Sequence, residues 1–117
     1  MFEKNLNISL LLDFYGDILT ERQKDMLDFY YNDDLSLAEI ADNYDISRQG
    51  VRSVLKKGEN ILINMEEKLH LAERFSSVQE KSSKIAIELE DLTHYIDNEE
   101  ISTKIMDLIS QIKELAD

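Results

Sequence analysis

Apolar residues along this chain recur in steps of three and four, the spacing of one face of an α-helix. Leu6, Leu10, Leu11 and Phe14 open the pattern and predict a helix over residues 3–15, with Gly16 as its stop. Met26, Leu27, Tyr30 and Tyr31 carry a second helix, which ends at the turn-rich "NDD" of 32–34. Its entry, "TERQ" at 20–23, is a capping box: the Thr20 hydroxyl accepts from a first-turn amide while Gln23 reaches back. "SLAE" at 36–39 repeats that chemistry and predicts a short third helix through Asn43. "ISRQ" at 46–49 starts a fourth, with Ser47 as N-cap.

The fourth helix reads as long. Val51, Val54, Leu55, Gly58, Ile61, Leu62, Met65, Leu69, Ala72 and Phe75 keep helical spacing through it. Gly58 weakens its middle by roughly 1 kcal/mol relative to alanine. The polar, serine-bearing "FSSVQEKSS" at 75–83 then reads as a connection, which divides the chain into a domain at 1–75 and an extension at 78–117. In that extension Ile85, Leu89, Leu92 and Ile96 form one seam, and Ile101, Ile105, Leu108, Ile112 and Leu115 form another. A five-residue jump at "DNEE" (97–100) breaks the phase, as a helical hairpin or a single kinked helix would. The hairpin offers a surface for self-association or for a partner.

Between residues 36 and 57 the pattern becomes specific. A helix-turn-helix fixes two helices at one angle, so its interior must be apolar, its crossing point small and its turn tolerant of a left-handed backbone. Leu37, Ile40, Tyr44, Ile46, Val51 and Val54 supply the interior, and Ala41 stands at the crossing. Asp45 falls at the turn, where it is among the few residues other than glycine that accept positive φ. The second helix of such a pair enters the DNA major groove by its N-terminal end. Ser47, Arg48, Gln49, Arg52, Ser53 and Lys56 point away from the interior. They are the right types: Arg pairs with guanine, Gln with adenine, and Ser and Lys with phosphates.

Charge changes this picture in part. The 117 residues carry 25 acids against 13 bases, a net charge of −12, which repels duplex DNA at long range. The acids are unevenly placed, however. Residues 1–35 hold eight acids and three bases, and residues 58–117 hold fourteen and six; residues 36–57 hold three and four. The helix-turn-helix is the one net-positive stretch, which implies a moderate to weak affinity for DNA.

Composition narrows the rest. No proline, three glycines and abundant Leu, Ile, Glu, Asp and Lys predict an all-α protein. Without cysteine there are no disulfides or thiolate metal sites. No apolar run is long enough to span a bilayer and no signal-like layout opens the chain, so no membrane association and a cytoplasmic location are expected. His70 and His94 have no second histidine or cysteine nearby and read as surface or partly packed residues. Tyr15, Tyr30, Tyr31 and Tyr44 read as core-edge residues. No phosphate loop, nucleophile elbow or catalytic set is present, so no enzymatic activity, cofactor or metal is expected.

Residues 19–62, from "LTERQKDML" through "SLAEIA" and "ISRQGV" to "ENIL", resemble the fourth region of bacterial sigma factors, which binds the −35 promoter element. Residues 6–75, including "EEKLHL" at 66–71, resemble more closely the YlxM-like family of small bacterial helix-turn-helix proteins. That resemblance implies a sigma-like helix-turn-helix bundle with a long helix and a C-terminal hairpin. It also implies, through gene neighbourhood, a regulatory or participating role in the signal recognition particle pathway. Gly50 departs from the family's usual alanine and is expected to remove one side chain from the reading face. The function expected is a DNA-binding regulatory protein acting as a homodimer, since such proteins read two half-sites. The alternative is a protein-binding module whose acidic surface engages signal recognition particle components or RNA polymerase.

Overall fold

The computed structural model describes residues 7–115, which are helical throughout apart from short links. Six α-helices follow one another: α1 (Asn7–Tyr15), α2 (Glu21–Tyr31), α3 (Leu37–Tyr44), α4 (Arg48–Leu69), α5 (Leu71–Thr93) and α6 (Glu99–Leu115). A 3₁₀ turn at Gly16–Ile18 separates α1 from α2. Leu6 lies outside the described residues. The chain divides into two compact units, one ending at Ala72 and the other starting at Glu73.

The helix starts follow local chemistry. Thr20 and Ser36 each form a complete capping box: Thr20 with Gln23, and Ser36 with Glu39. Each cap contributes on the order of 1 kcal/mol. α3 ends one residue later than the spacing predicts, at Tyr44, and Asp45 follows it in the left-handed region at φ 54°. In the first unit α4 is the central element, packed against α1, α2 and α3. Ile8, Met26, Leu27, Ile40, Val51, Leu55 and Leu62 are its fully buried side chains. Gly58 has a structural reason. A Cβ there would stand 2.7 Å from Leu27 Cδ1, so a side chain at this position would force the buried Leu27 to shift.

Two expectations are corrected. The fourth helix does not run on to Phe75: it ends at Leu69, and His70 turns the chain with φ 55°. The cause lies far away in sequence. Tyr15 donates its hydroxyl hydrogen to Glu66 Oε1 at 2.6 Å and accepts the Leu71 N–H at 3.1 Å. Glu66 Oε1 also accepts the Ala72 N–H at 3.0 Å. A phenol from α1 and a carboxylate from α4 thus satisfy the opening amides of α5, the groups a helix start otherwise leaves unpaired. Burial pushes the Tyr15 phenol above its ordinary range, and the adjoining Glu66 carboxylate adds to the effect.

The second correction concerns residues 75–83, which are not a connection but lie inside α5. Ser76, Ser77 and Ser83 lie on the exposed helix surface, where serine costs little, Ser82 is buried, and no proline or glycine interrupts the run. The break in phase near residue 97 is a true link. α5 stops at Thr93 and α6 starts at Glu99, with Asn98 Oδ1 accepting the Ile101 N–H at 3.1 Å. In the second unit the buried side chains are Ser82, Ala86 and Ile109.

Candidate nucleic-acid interface

α3, the turn at Asp45–Ser47 and the first turns of α4 form the helix-turn-helix. The turn is closed by backbone bonds. The Asp45 N–H donates to the Ala41 and Asp42 carbonyls, and the Ile46 N–H donates to Ala41 at 3.1 Å. Ser47 then caps α4, its Oγ accepting the Gly50 N–H at 3.0 Å. No acid occupies the first turn of α4, so the positive end of its dipole is unopposed from within the helix.

The interior residues fall where the spacing places them. Ile40, Ala41 and Val51 are buried, and Leu37, Tyr44, Ile46 and Val54 pack partly buried against the same core. On the opposite face of α4, Ser47, Arg48, Gln49, Arg52, Ser53 and Lys56 are all exposed. Arg48, Arg52 and Lys56 recur every four residues, a stripe about 12 Å long at 1.5 Å per residue. Among the described residues Arg48 and Arg52 form no ion pair. Of the three acids in the motif, Glu39 is committed to its capping box through the Ser36 N–H at 3.1 Å. Asp42 and Asp45 stay exposed beside the turn.

Gly50 does not remove a side chain from the reading face, as the sequence implied. A Cβ at this position would face Ser47 Oγ at 3.3 Å and Ile46 Cδ1 at 3.5 Å, so the residue looks inward at the turn. The absent side chain leaves room for the Ser47 cap.

Two side chains near the site carry no sequence signal of their own. Arg22, exposed on α2, stacks its guanidinium 5.4 Å from the centre of the Tyr44 ring and so ties α2 to the end of α3. Glu59, on α4, accepts the Tyr31 hydroxyl at 2.8 Å through Oε1, while its Oε2 is buried without a partner. Burial pushes this carboxyl above its ordinary range, opposed by the Tyr31 hydrogen bond and the nearby Lys56 charge. Only the contact between helices reveals either role.

Elsewhere on the first unit, α1 and α2 border an acidic cleft of about 250 Å³ lined by Leu12, Asp13, Asp17, Lys24, Asp25, Asp28 and Asn32. Its one base, Lys24, is paired with Asp17 at 2.7 Å, which holds the Asp17 carboxyl below its usual range. Among the described residues no group of three or more His, Asp or Glu side chains is placed to hold a metal ion. No helix among them is long and apolar enough to cross a membrane.

Comparison with known proteins agrees with this geometry. Residues 2–116 match the family described as "Putative helix-turn-helix protein, YlxM / p13 like" (UPF0122). A UPF0122 protein of Clostridium kluyveri is 41% identical over 107 residues, which cover 92% of this chain and 96% of the relative. One from Acetivibrio thermocellus is 42% identical over 112 residues, covering 96% and 92%. One from Desulforamulus reducens is 49% identical over 80 residues, covering 68% and 67%. The chain belongs to this helix-turn-helix family.

Proposed function

We propose that this family member is a DNA-binding regulatory protein that reads DNA with the N-terminal end of α4. The observation that carries the reading is the exposed Arg48, Arg52 and Lys56 stripe, on a helix whose other face is locked into the core by Val51 and Leu55. Arg48 and Gln49 reach base edges, Arg52 and Lys56 add phosphate or base contacts, and Ser47 and Ser53 lie within reach of the backbone. The protein acts as a homodimer on two half-sites. The gene-neighbourhood link implied by the family resemblance makes the genes of the signal recognition particle pathway the first targets to examine.

The test is fluorescence anisotropy with the DNA upstream of the protein's own gene. Arg48→Ala with Arg52→Ala is expected to weaken binding at least tenfold, each lost contact being worth about 1–3 kcal/mol. Unchanged affinity with helicity intact refutes direct reading.

A second reading draws on the acidic cleft of α1 and α2. Asp13, Asp17, Asp25 and Asp28 there outnumber Lys24, the single base that lines it, which suits a basic segment of a protein partner such as a signal recognition particle component or RNA polymerase. Co-purification with the particle GTPase that weakens on Asp25→Lys with Asp28→Lys supports this reading. No capture even at low salt rejects it.

A further inference from the structure

The second unit leaves most of its large apolar side chains in water. On α5, Val78, Ile85 and Leu92 are 46–49% exposed and stand seven residues apart. That is the spacing at which one helix presents the same edge to another helix every two turns. The neighbouring row on the same helix, Ser82 and Ala86, is buried. α6 repeats the arrangement: Ile101, Leu108 and Leu115 are exposed at seven-residue spacing beside the buried Ile109. The α5 row presents on the order of 250 Å² of apolar surface per copy, about a third of the ~800 Å² each partner contributes to a standard interface. A row with heptad spacing fits a helix as its partner.

The charges beside the α5 row identify that helix. Lys81 and Lys84 lie on the N-terminal side of Ile85, and Glu88 and Asp91 lie on its C-terminal side, all four exposed. Laid antiparallel on a second copy about Ile85, this row sets Val78 against Leu92 and the basic half against the acidic half. A parallel pairing would set like on like. The α6 row is preceded at each step by an acid, Glu100, Asp107 and Glu114, with Lys104 as the single base among its flanks, so self-pairing there is repelled. We infer that α5 is the self-association surface of this protein, pairing antiparallel with α5 of a second copy about a two-fold axis at Ile85.

This inference deepens the homodimer of the proposed function. Its test contains no DNA, so failure to associate and failure to bind DNA are seen separately. Sedimentation of the full chain at about 100 µM is expected to give twice the 13.7 kDa chain mass. Lys81→Glu with Lys84→Glu makes both halves acidic, and Glu88→Lys with Asp91→Lys makes both basic; each variant alone is expected to fall to the single-copy mass. Mixing the two variants, or combining all four changes in one chain, restores the doubled mass, because opposite charges face each other again. That rescue also shows that the variants are folded. A single-copy mass for the unaltered chain overturns the inference, as does a dimer that survives both charge reversals. Loss of the dimer without rescue on mixing overturns the antiparallel α5 pairing.

Discussion

Asp45 keeps φ at 54° between α3 and α4, and the helix-turn-helix angle depends on that one backbone conformation. Asp45→Gly is expected to hold or raise stability, whereas Asp45→Val should cost about 1–2 kcal/mol because a β-branched side chain crowds the left-handed backbone. Urea unfolding midpoints of the two variants check this. Glu59 is a different case. Burial raises its carboxyl pKa in the folded protein, so the fold binds this proton more tightly than the unfolded chain does. Its contribution is therefore complete below the unfolded carboxylate value, about 4.3, and is lost as pH rises through the raised folded value. Glu59→Gln removes the titration. The Tm difference, variant minus unaltered chain, should be more positive at pH 7 than at pH 4.

Among the elements, the break between α4 and α5 rests on Tyr15. Tyr15→Phe removes the hydrogen bond to Glu66 and leaves the Leu71 amide without its acceptor, at an expected cost of about 1–3 kcal/mol. Faster amide exchange at Leu71 and Ala72 is the accompanying sign. This break also marks where sequence reading stops working. The starts at Thr20, Ser36 and Ser47 and the turn at Asp45 were legible, because the residues that make them lie within three positions of one another. The end of α4 was not, because its cause sits 56 residues away on α1. The candidate site divides in the same way. Ser47, Arg48, Gln49, Arg52, Ser53 and Lys56 could be placed on the exposed face from helical spacing alone. The inward view of Gly50, the Arg22 stack on Tyr44 and the fit of Gly58 to Leu27 depend on helix contacts that no spacing encodes.

Across the whole sequence, a net charge of −12 accompanies a small basic stripe. At most four bases per copy (Arg48, Arg52, Lys56 and Lys57) lie where α4 would meet DNA phosphates. The slope of log affinity against log salt should therefore lie between about −2 and −4 per copy. A titration from 50 to 200 mM salt measures it. A steeper slope would bring bases outside α4 into the contact.

The position of α4 at the centre of the first unit has a consequence for binding thermodynamics. The same 22 residues present the proposed reading face at one end and supply the packing surface for α1, α2 and α3 along their length. In the proposed function such a helix would be ordered before it met DNA, so association would spend little free energy on arranging the reader. On that proposal, sequence preference would reside in the rotamers of a few long side chains on a rigid rod, and selectivity would be tuned by exchanging those side chains rather than by bending the rod.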